Sequence, residues 1–184
     1  MSVLRADAQR NLSSILKAAS EAYAELGPDV TVDEIARRAG VGHGTVFRRF
    51  LTKDALRAAV ISMRLDELLA RAHELLDQPD AGVAFEEFVW AAAEMCRRDR
   101  TLFEGMEQCH DFADVSAAKQ DLHETVGKLI RRAQRDGAIR RGLDSHDIGA
   151  LVGAAIQASA HAERDDAWRR YIKVVLDGLR TTSR

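Results

Sequence analysis

Two short helical patterns separated by only three residues constrain this chain more than any other feature of it. Residues 31–39 (TVDEIARRA) and residues 43–50 (HGTVFRRF) both place apolar side chains at helical spacing. Gly40, Val41 and Gly42 connect the two patterns. A glycine-containing turn of three or four residues between two short helices is the signature of a helix-turn-helix.

Local signals indicate how these two helices begin, end and pack. Thr31 and Glu34 match a capping box at the start of the first helix, and Gly40 supplies the left-handed residue at its end. The side chains expected to face inward are Ile35, Val41, Val46 and Phe50. The residues expected to stay outside are Gly42, His43, Gly44, Thr45, Phe47, Arg48 and Arg49.

The charge of this region differs from that of the whole chain. The 184 residues carry a formal net charge of −2, which does not indicate a nucleic-acid-binding protein. Residues 31–53 contain five basic and two acidic residues, a net charge of +3: Arg37, Arg38, Arg48, Arg49 and Lys53 against Asp33 and Glu34. A local basic patch of this kind is the electrostatic footprint of nucleic-acid binding.

The rest of the chain predicts an all-α fold. It has only two prolines and few β-branched runs, and Ala, Leu, Arg and Glu recur throughout. Helical periodicity predicts about nine helices, over residues 7–26, 32–39, 43–50, 53–76, 83–98, 102–110, 115–136, 145–162 and 166–180. Two cysteines are too few for a disulfide framework and favour a reducing compartment. With no apolar signal core and no window of about 18 apolar residues, we expect a cytoplasmic protein without a membrane partner.

The segment TVDEIARRAGVGHGTVFRRFLTKDAL resembles the DNA-binding signature of the TetR family of transcriptional regulators. The matching positions are Thr31, Ile35, Ala36, Ala39, Gly40, Val41, Gly44, Thr45, Phe47, Phe50 and Lys53. Phe47 stands where the family usually has Tyr, and Leu51 where it often has Pro. Two further segments, LRADAQRN and AIRRGLDSHDIGALV, are similar to the SbtR-like subgroup. The resemblance implies a three-helix DNA-binding domain over residues 1–52 and a helical ligand-binding and dimerisation domain over residues 53–184.

The resemblance also implies roles for the exposed residues of the helix-turn-helix. Those expected to face base edges are His43, Gly44, Thr45 and Phe47, and His43 can donate to guanine or accept from adenine. Those expected to contact phosphates are Thr31, Arg48, Arg49 and Lys53, since phosphate contacts position a protein without specifying sequence. Gly42, like Gly44, lets the start of the helix approach the DNA closely. The alternative is a solvated, capping histidine at His43 and a solvated face for the pair Arg48 and Arg49.

The last two predicted helices are more apolar than one small core requires. The helix over 145–162 is small or apolar on nearly every side, which indicates burial on more than one side. The resemblance implies that both helices pair with their copies in a homodimer, and a thick core within one subunit is the alternative. The positions expected in the dimer interface are Leu151, Gly153, Ala154, Gln157, Trp168, Tyr171, Val174, Val175 and Gly178. Two-fold symmetry then predicts a palindromic operator.

The middle helices are expected to bind a small-molecule effector of unknown identity. Trp90 lies off the apolar stripe of its helix, on a face shared with Glu86, Glu94 and Arg97. Methionine and aromatic side chains with a few polar groups suit a small apolar or amphipathic ligand. The positions expected to contact it are Met63, Trp90, Phe103, Met106, His110 and His123, and for each the alternative is an ordinary core.

The sequence argues against two other classes of protein, an enzyme and a helical interaction module. The chain has no nucleophile turn, phosphate-binding loop or dinucleotide fingerprint, so we do not expect an enzyme. Cys109, His110, Asp111 and Asp114 could bind a metal, but no second cluster matches them, so we expect no metal or cofactor. The basic patch and the intact turn argue against a helical interaction module without DNA binding. The sequence therefore predicts a ligand-responsive regulator, a repressor, that binds a palindromic operator as a homodimer.

Overall fold

The structure is a computed structural model that describes residues 3–99, 112–162 and 164–181. Within these ranges it contains eight α-helices and no β-strand, which confirms the all-α class. The helices are α1 Val3–Leu26, α2 Val32–Ala39, α3 His43–Arg49, α4 Lys53–Leu76, α5 Ala81–Arg98, α6 Ala113–Arg135, α7 Ser145–Ser159 and α8 Ala167–Leu179. The helix predicted over 102–110 lies outside the described residues. None of the eight helices has the combination of length and apolar character that a bilayer span requires.

The helix boundaries lie close to those that the sequence predicts. α2 and α4 have the predicted bounds, and α3 is one residue shorter than predicted because Phe50 has extended backbone angles. α7 ends at Ser159 rather than at residue 162. Beyond Ser159 the backbone forms hydrogen bonds between residues three apart, as in a 3₁₀ turn. They run from the Ala160 amide to the Gln157 carbonyl and from the Ala162 amide to the Ser159 carbonyl. Such bonds tighten the last turn of a helix and end it.

The described residues group into two compact units. The first comprises residues within Met1–Leu65 and Asp99–Ala118, and the second comprises residues within Asp66–Arg98 and Lys119–Arg184. The first part of α4 therefore belongs to the first unit and the remainder to the second.

The first unit has a small helical core that contains a buried ion pair. Its fully buried side chains come from all four of its N-terminal helices and include Ile15, Tyr23, Ile35, Val46, Leu56 and Ile61. Burial of one such side chain contributes about 1.5–3 kcal/mol to stability. Asp99, only 1% exposed, lies 3.2 Å from Nε of Arg64 on α4. The same guanidinium donates from Nη2 to Oγ of the buried Ser20 on α1, over 2.6 Å.

The second unit packs α5 against both α7 and α8, and α7 against α8. Its core contains Phe85, Phe88, Leu129, Ile130, Ile148, Ile172 and Leu176. Arg132 of α6 closes the end of α4, because its guanidinium donates to the carbonyl oxygens of Leu76 and Pro79 over 2.8 Å and also to that of Gln78. The cation thus satisfies carbonyl groups that a helix end leaves without partners.

A reciprocal cap begins α7. The Asp144 carboxylate accepts from the backbone amides of His146 and Asp147, over 2.8 and 3.1 Å, and the Asp147 carboxylate accepts from the Asp144 amide over 3.0 Å. The hydrogen bonds from the Asp147 and His146 amides hold the pKa of the Asp144 carboxyl below its ordinary value. This cap fixes the point at which the apolar helix α7 starts.

Candidate nucleic-acid interface

The turn between α2 and α3 is closed by backbone hydrogen bonds around Gly40. Thr31 begins α2, since its Oγ1 accepts from the Glu34 amide over 3.2 Å. Gly40 has φ +67°, and its amide donates to the Arg37 carbonyl over 3.3 Å. The Val41 amide donates to the Ala36 carbonyl over 3.1 Å. This pair of bonds is a Schellman motif, whose left-handed residue is normally glycine because a Cβ there costs about 1–2 kcal/mol.

α3 is held from beneath by a few apolar side chains. Val46 is buried, as is Ile35 on α2, while Val41 and Phe50 are half-buried. The Phe50 amide donates to the Val46 carbonyl over 2.8 Å and ends the helix. All four side chains expected to face inward thus lie at least partly in the core. The opposite side of α3 remains open to solvent.

The open side of α3 carries the residues expected to meet DNA. His43, Gly44, Phe47, Arg48 and Arg49 are exposed, and Thr45 is half-buried. The Phe47 side chain is 42% exposed, and Leu51 just after the helix is 84% exposed. Apolar groups left on a basic surface are suited to contact with apolar parts of a nucleic acid, such as the thymine methyl group.

The glycines at the start of α3 are not crowded by any described part of the chain. A Cβ added at Gly42 would come no closer than 4.0 Å to a neighbouring atom, Oγ1 of Thr45, and one added at Gly44 would lie 4.0 Å from Nη1 of Arg48. Gly42 is the N-cap of α3, a position at which glycine is common, whereas Gly44 lies within the helix, where glycine costs about 1 kcal/mol relative to alanine. Because nothing in the described part of the chain crowds either position, the small size of both residues favours the close approach of an external partner.

The basic residues of the patch are not equivalent. The Glu34 carboxylate accepts from Arg37 over 2.7 and 2.9 Å and from Arg38 over 2.8 Å, so only the Thr31 half of the predicted capping box is formed. These hydrogen bonds, first from Arg37 and then from Arg38, lower the pKa of the Glu34 carboxyl to about 2. Arg38 also donates to Glu25 over 2.7 Å and ties α2 to α1, a structural role that the sequence pattern did not show.

Three basic residues remain for an external anion. Arg48, Arg49 and Lys53 form no ion pair within the described part of the chain. Arg48 donates only weakly to Oγ1 of Thr45, over 3.4 Å. Lys53 is half-buried at the first position of α4, which begins where the Thr52 hydroxyl accepts from the Ala55 amide over 3.0 Å. The patch therefore offers its cations around α3 and the start of α4.

The positions expected in a dimer interface lie on α7 and α8 of the second unit. Leu151, Ala154, Gln157, Tyr171, Val174 and Gly178 are exposed, and Gly153 and Val175 are half-buried. Trp168 differs, since it is 6% exposed and belongs to the core of its own subunit. Its ring packs edge-on against Trp90, with centroids 6.0 Å apart, and lies under the Arg169 guanidinium. Trp168 is therefore a core residue of its own subunit, whereas the exposed positions listed above are accessible to a second chain.

The positions expected to contact an effector are only partly described. Met63 on α4, Trp90 on α5 and His123 on α6 are half-buried. The His123 ring stacks on His146 with centroids 4.0 Å apart. Burial and then the His146 ring lower the pKa of the His123 imidazole. The other expected positions, Phe103, Met106 and His110, lie outside the described residues. Three of the four possible metal ligands, Cys109, His110 and Asp111, also lie outside them.

A cleft that the sequence did not indicate lies in the second unit. It has a volume of about 350 Å³ and is bordered by the start of α5, residues 137–139 and the end of α8. Arg180 at its rim is paired with Glu86 over 3.0 Å. None of the described positions expected to contact an effector borders this cleft. Its walls come from three separate elements, which is why helical periodicity could not reveal it.

Fold and site together define a DNA-binding, helix-turn-helix transcriptional regulator, and comparison with known proteins gives its family. Residues 15–60 match the model of the bacterial regulatory proteins of the tetR family. Residues 80–181 match the C-terminal domain of SbtR-like transcriptional regulators. The chain belongs to the TetR family and has an SbtR-like C-terminal domain, so both resemblances noted in the sequence are confirmed.

Individual relatives resemble the chain over nearly their whole length. A TetR transcription regulatory protein from Mycobacterium vanbaalenii is 34% identical, with 97% of this chain and 99% of that chain covered and a TM-score of 0.73. A TetR transcriptional regulator from Streptomyces coelicolor is 26% identical, with 94% and 99% covered and a TM-score of 0.73. The transcriptional regulator UidR of Escherichia coli is 24% identical over the full length of both chains. These relatives are transcriptional regulators of the helix-turn-helix type.

Proposed function

We propose that the protein is a cytoplasmic homodimeric repressor, which occupies a palindromic operator and leaves it when a small-molecule effector binds. The observation that carries the proposal is the open side of α3. It combines two glycines at which an added Cβ would meet no described atom closer than 4.0 Å, an exposed aromatic ring and arginines that no carboxylate of the described chain neutralises.

The residues of this surface divide into two groups in the proposal. His43, Gly44, Thr45 and Phe47 contact base edges in the major groove, where each base pair presents a distinct pattern of donors and acceptors. Arg48, Arg49 and Lys53 bind phosphates, and Thr31 and Gly42 approach the backbone at the start of the two helices. Arg37 and Arg38 are left out because they are held by Glu34 and Glu25.

The dimer part of the proposal rests on an uncharged exposed face. α7 has no charged residue from Ile148 to its end, and its Leu151 is exposed. On α8, Tyr171 and Val174 are exposed, and a Cβ added at Gly178 would meet nothing within 4 Å. Contiguous exposed apolar surface marks an interaction site, and a second copy of the same face is its simplest partner. A two-fold dimer would present two copies of α3 about 34–36 Å apart to successive major grooves.

The effector part of the proposal needs only a modest coupling energy. A tenfold loss of operator affinity corresponds to about 1.4 kcal/mol of coupling between the two binding events. Trp90 and His123 are the described positions of the second unit that we propose for effector contact, because each is half-buried and combines an apolar body with a polar edge.

Selection of random duplex DNA by the purified protein tests the proposed function. We expect enrichment of a palindrome whose half-sites lie about one helical turn apart. The genes beside such a site in the source genome would supply candidate effectors, which are then tested for release of the protein from the selected duplex. Retention that depends on salt but enriches no sequence would contradict a sequence-specific regulator.

The substitution Arg48→Ala is expected to weaken binding to all duplexes in similar proportion. Loss of one phosphate contact in each subunit should lower the slope of log affinity against log salt concentration by about 2 in magnitude, since each contact contributes about 0.9. Titration of a fluorescent duplex at several salt concentrations measures this slope. The control is Arg141→Ala, which removes an exposed arginine far along the chain from the helix-turn-helix. An unchanged slope would remove Arg48 from the phosphate contacts.

A further inference from the structure

The His43 ring is held by two neighbours, one at its edge and one at its face. Its Nδ1 forms a hydrogen bond with Oδ1 of Asp33 on α2. The Phe47 ring, one turn further along α3, lies against it with centroids 4.4 Å apart and planes inclined by 34°. The side chain of His43 nevertheless remains exposed. The ring therefore has a defined orientation in the absence of DNA.

The partner at Nδ1 determines the chemistry of the opposite nitrogen. An ionised carboxylate only accepts hydrogen bonds, so Nδ1 must carry the proton that is donated to Asp33. In a neutral imidazole one nitrogen is a donor and the other is an acceptor. Nε2 of neutral His43 is therefore an acceptor.

We propose that Asp33 fixes the tautomer of His43 and thereby determines which bases the helix-turn-helix accepts at one position of each half-site. This inference rests on the proposed function, in which α3 contacts base edges. An acceptor at Nε2 binds the major-groove amino group of adenine or cytosine. It does not bind O6 or N7 of guanine, or O4 of thymine, because those atoms are acceptors themselves. Asp33 is thus a positioning residue, which acts on DNA sequence preference through His43.

A purely structural role for Asp33 makes a different prediction. Asp33 stands in the first turn of α2, where an acidic side chain stabilises the helix through its dipole. Loss of that effect would lower stability and weaken binding to every duplex. It would not change the preferred base at a single position. Base preference is therefore the measurement that separates the two roles.

The test compares sites selected from random duplexes at about pH 8, on the neutral side of the usual titration range of imidazole. The variants are Asp33→Asn, His43→Ala and the double variant. His43→Ala should lose the preference for adenine or cytosine at one symmetry-related position. Asp33→Asn should admit guanine or thymine there and reduce discrimination about fivefold or more, since an amide can either donate to or accept from Nδ1. In the His43→Ala background, Asp33→Asn should change no base preference.

The outcomes separate failure of this inference from failure of the proposed function. Absence of any selected site for the unmodified protein overturns the proposed function and the inference with it. A selected site whose base preferences are the same in Asp33→Asn overturns the inference alone, as does an effect of Asp33→Asn that persists in the His43→Ala background. Asp29→Asn, which removes an exposed carboxylate from the turn before α2, is the matched control and should leave the selected site unchanged.

A second measurement needs neither a variant nor DNA. The ¹⁵N chemical shifts of the His43 ring in the free protein, at about pH 8, distinguish a protonated from an unprotonated nitrogen. We expect a protonated Nδ1 and an unprotonated Nε2. The opposite assignment, with the proton on Nε2, overturns the inference directly, whatever the DNA experiment shows.

Discussion

Replacement of Val174 by arginine is expected to dissociate the protein into monomers and to lower its affinity for an operator about 100-fold or more, because two linked half-site contacts become independent. Val174 is 70% exposed on α8, on the same face as Tyr171 and Gly178. In an interface between two copies of one surface, each substitution counts twice. Two like-charged guanidinium groups would then be placed in an apolar contact between the subunits, and their desolvation costs several kcal/mol.

Sedimentation velocity across a range of protein concentrations measures the first effect, and titration of the selected operator measures the second. Val83→Arg is the matched control, because Val83 is also an exposed valine in the second unit but lies on α5. That variant should remain dimeric and should bind the operator with unchanged affinity. A Val174→Arg protein that dimerises as strongly as the unmodified one would exclude this face as the interface.

Replacement of Asp99 by alanine is expected to lower the free energy of unfolding by about 3–5 kcal/mol. Asp99 is almost fully buried, and its carboxylate faces the Arg64 guanidinium at 3.2 Å. The substitution removes that carboxylate and leaves the guanidinium largely shielded from water. Removal of one partner from a buried pair is far more destabilising than removal of both, because the remaining charge has lost its compensation.

Two further variants identify the origin of that loss. Asp166→Ala breaks an exposed pair with Arg164, and it should cost less than about 1 kcal/mol. The double variant Arg64→Met with Asp99→Leu removes both charges at similar volume and should recover most of the stability lost in Asp99→Ala. Chemical denaturation followed by circular dichroism measures all three. A double variant no more stable than Asp99→Ala would show that the pairing of charges is not the cause.

The parts of the fold that could be predicted from the sequence are those that depend on near neighbours in the chain. The bounds of α2 depend on Thr31 at its start and Gly40 at its end, and both signals lie in the sequence next to the helix they delimit. The start of α7 depends in the same way on Asp144. The side of α3 that turns inward follows from helical spacing alone, since Val46 and Phe50 are four residues apart.

Contacts between residues far apart in the chain could not be predicted in this way. The sequence shows Arg38 only as part of a basic patch, and its hydrogen bond to Glu25 forms only when α2 folds back onto α1. Arg132 was one of many basic residues on α6, but it closes the end of α4 more than fifty residues earlier. The periodicity of apolar residues shows which face of a helix is buried. It does not show which polar group of another helix lies opposite that face.

The same distinction applies within the candidate site. The sequence placed His43 and Phe47 on one side of α3, because four residues make about one turn. It did not pair His43 with Asp33, since that hydrogen bond depends on the angle at which the Gly40 turn brings α3 across α2. For Trp168, a wide apolar stripe indicated burial, but it did not show whether the buried contact lies in one subunit or between two.

The packing of α3 has a consequence for how DNA-binding specificity changes during evolution. The helix is anchored by Val46 and Phe50, whereas Gly44 and Phe47 face away from the core. A mutation at one of these outer positions is not opposed by the loss of stability that eliminates most core mutations. Under the proposed function, in which these positions contact base edges, new binding specificities can therefore arise in single steps on a constant scaffold. His43 is the exception, because its hydrogen bond to Asp33 makes an inherited change at either residue depend on the other.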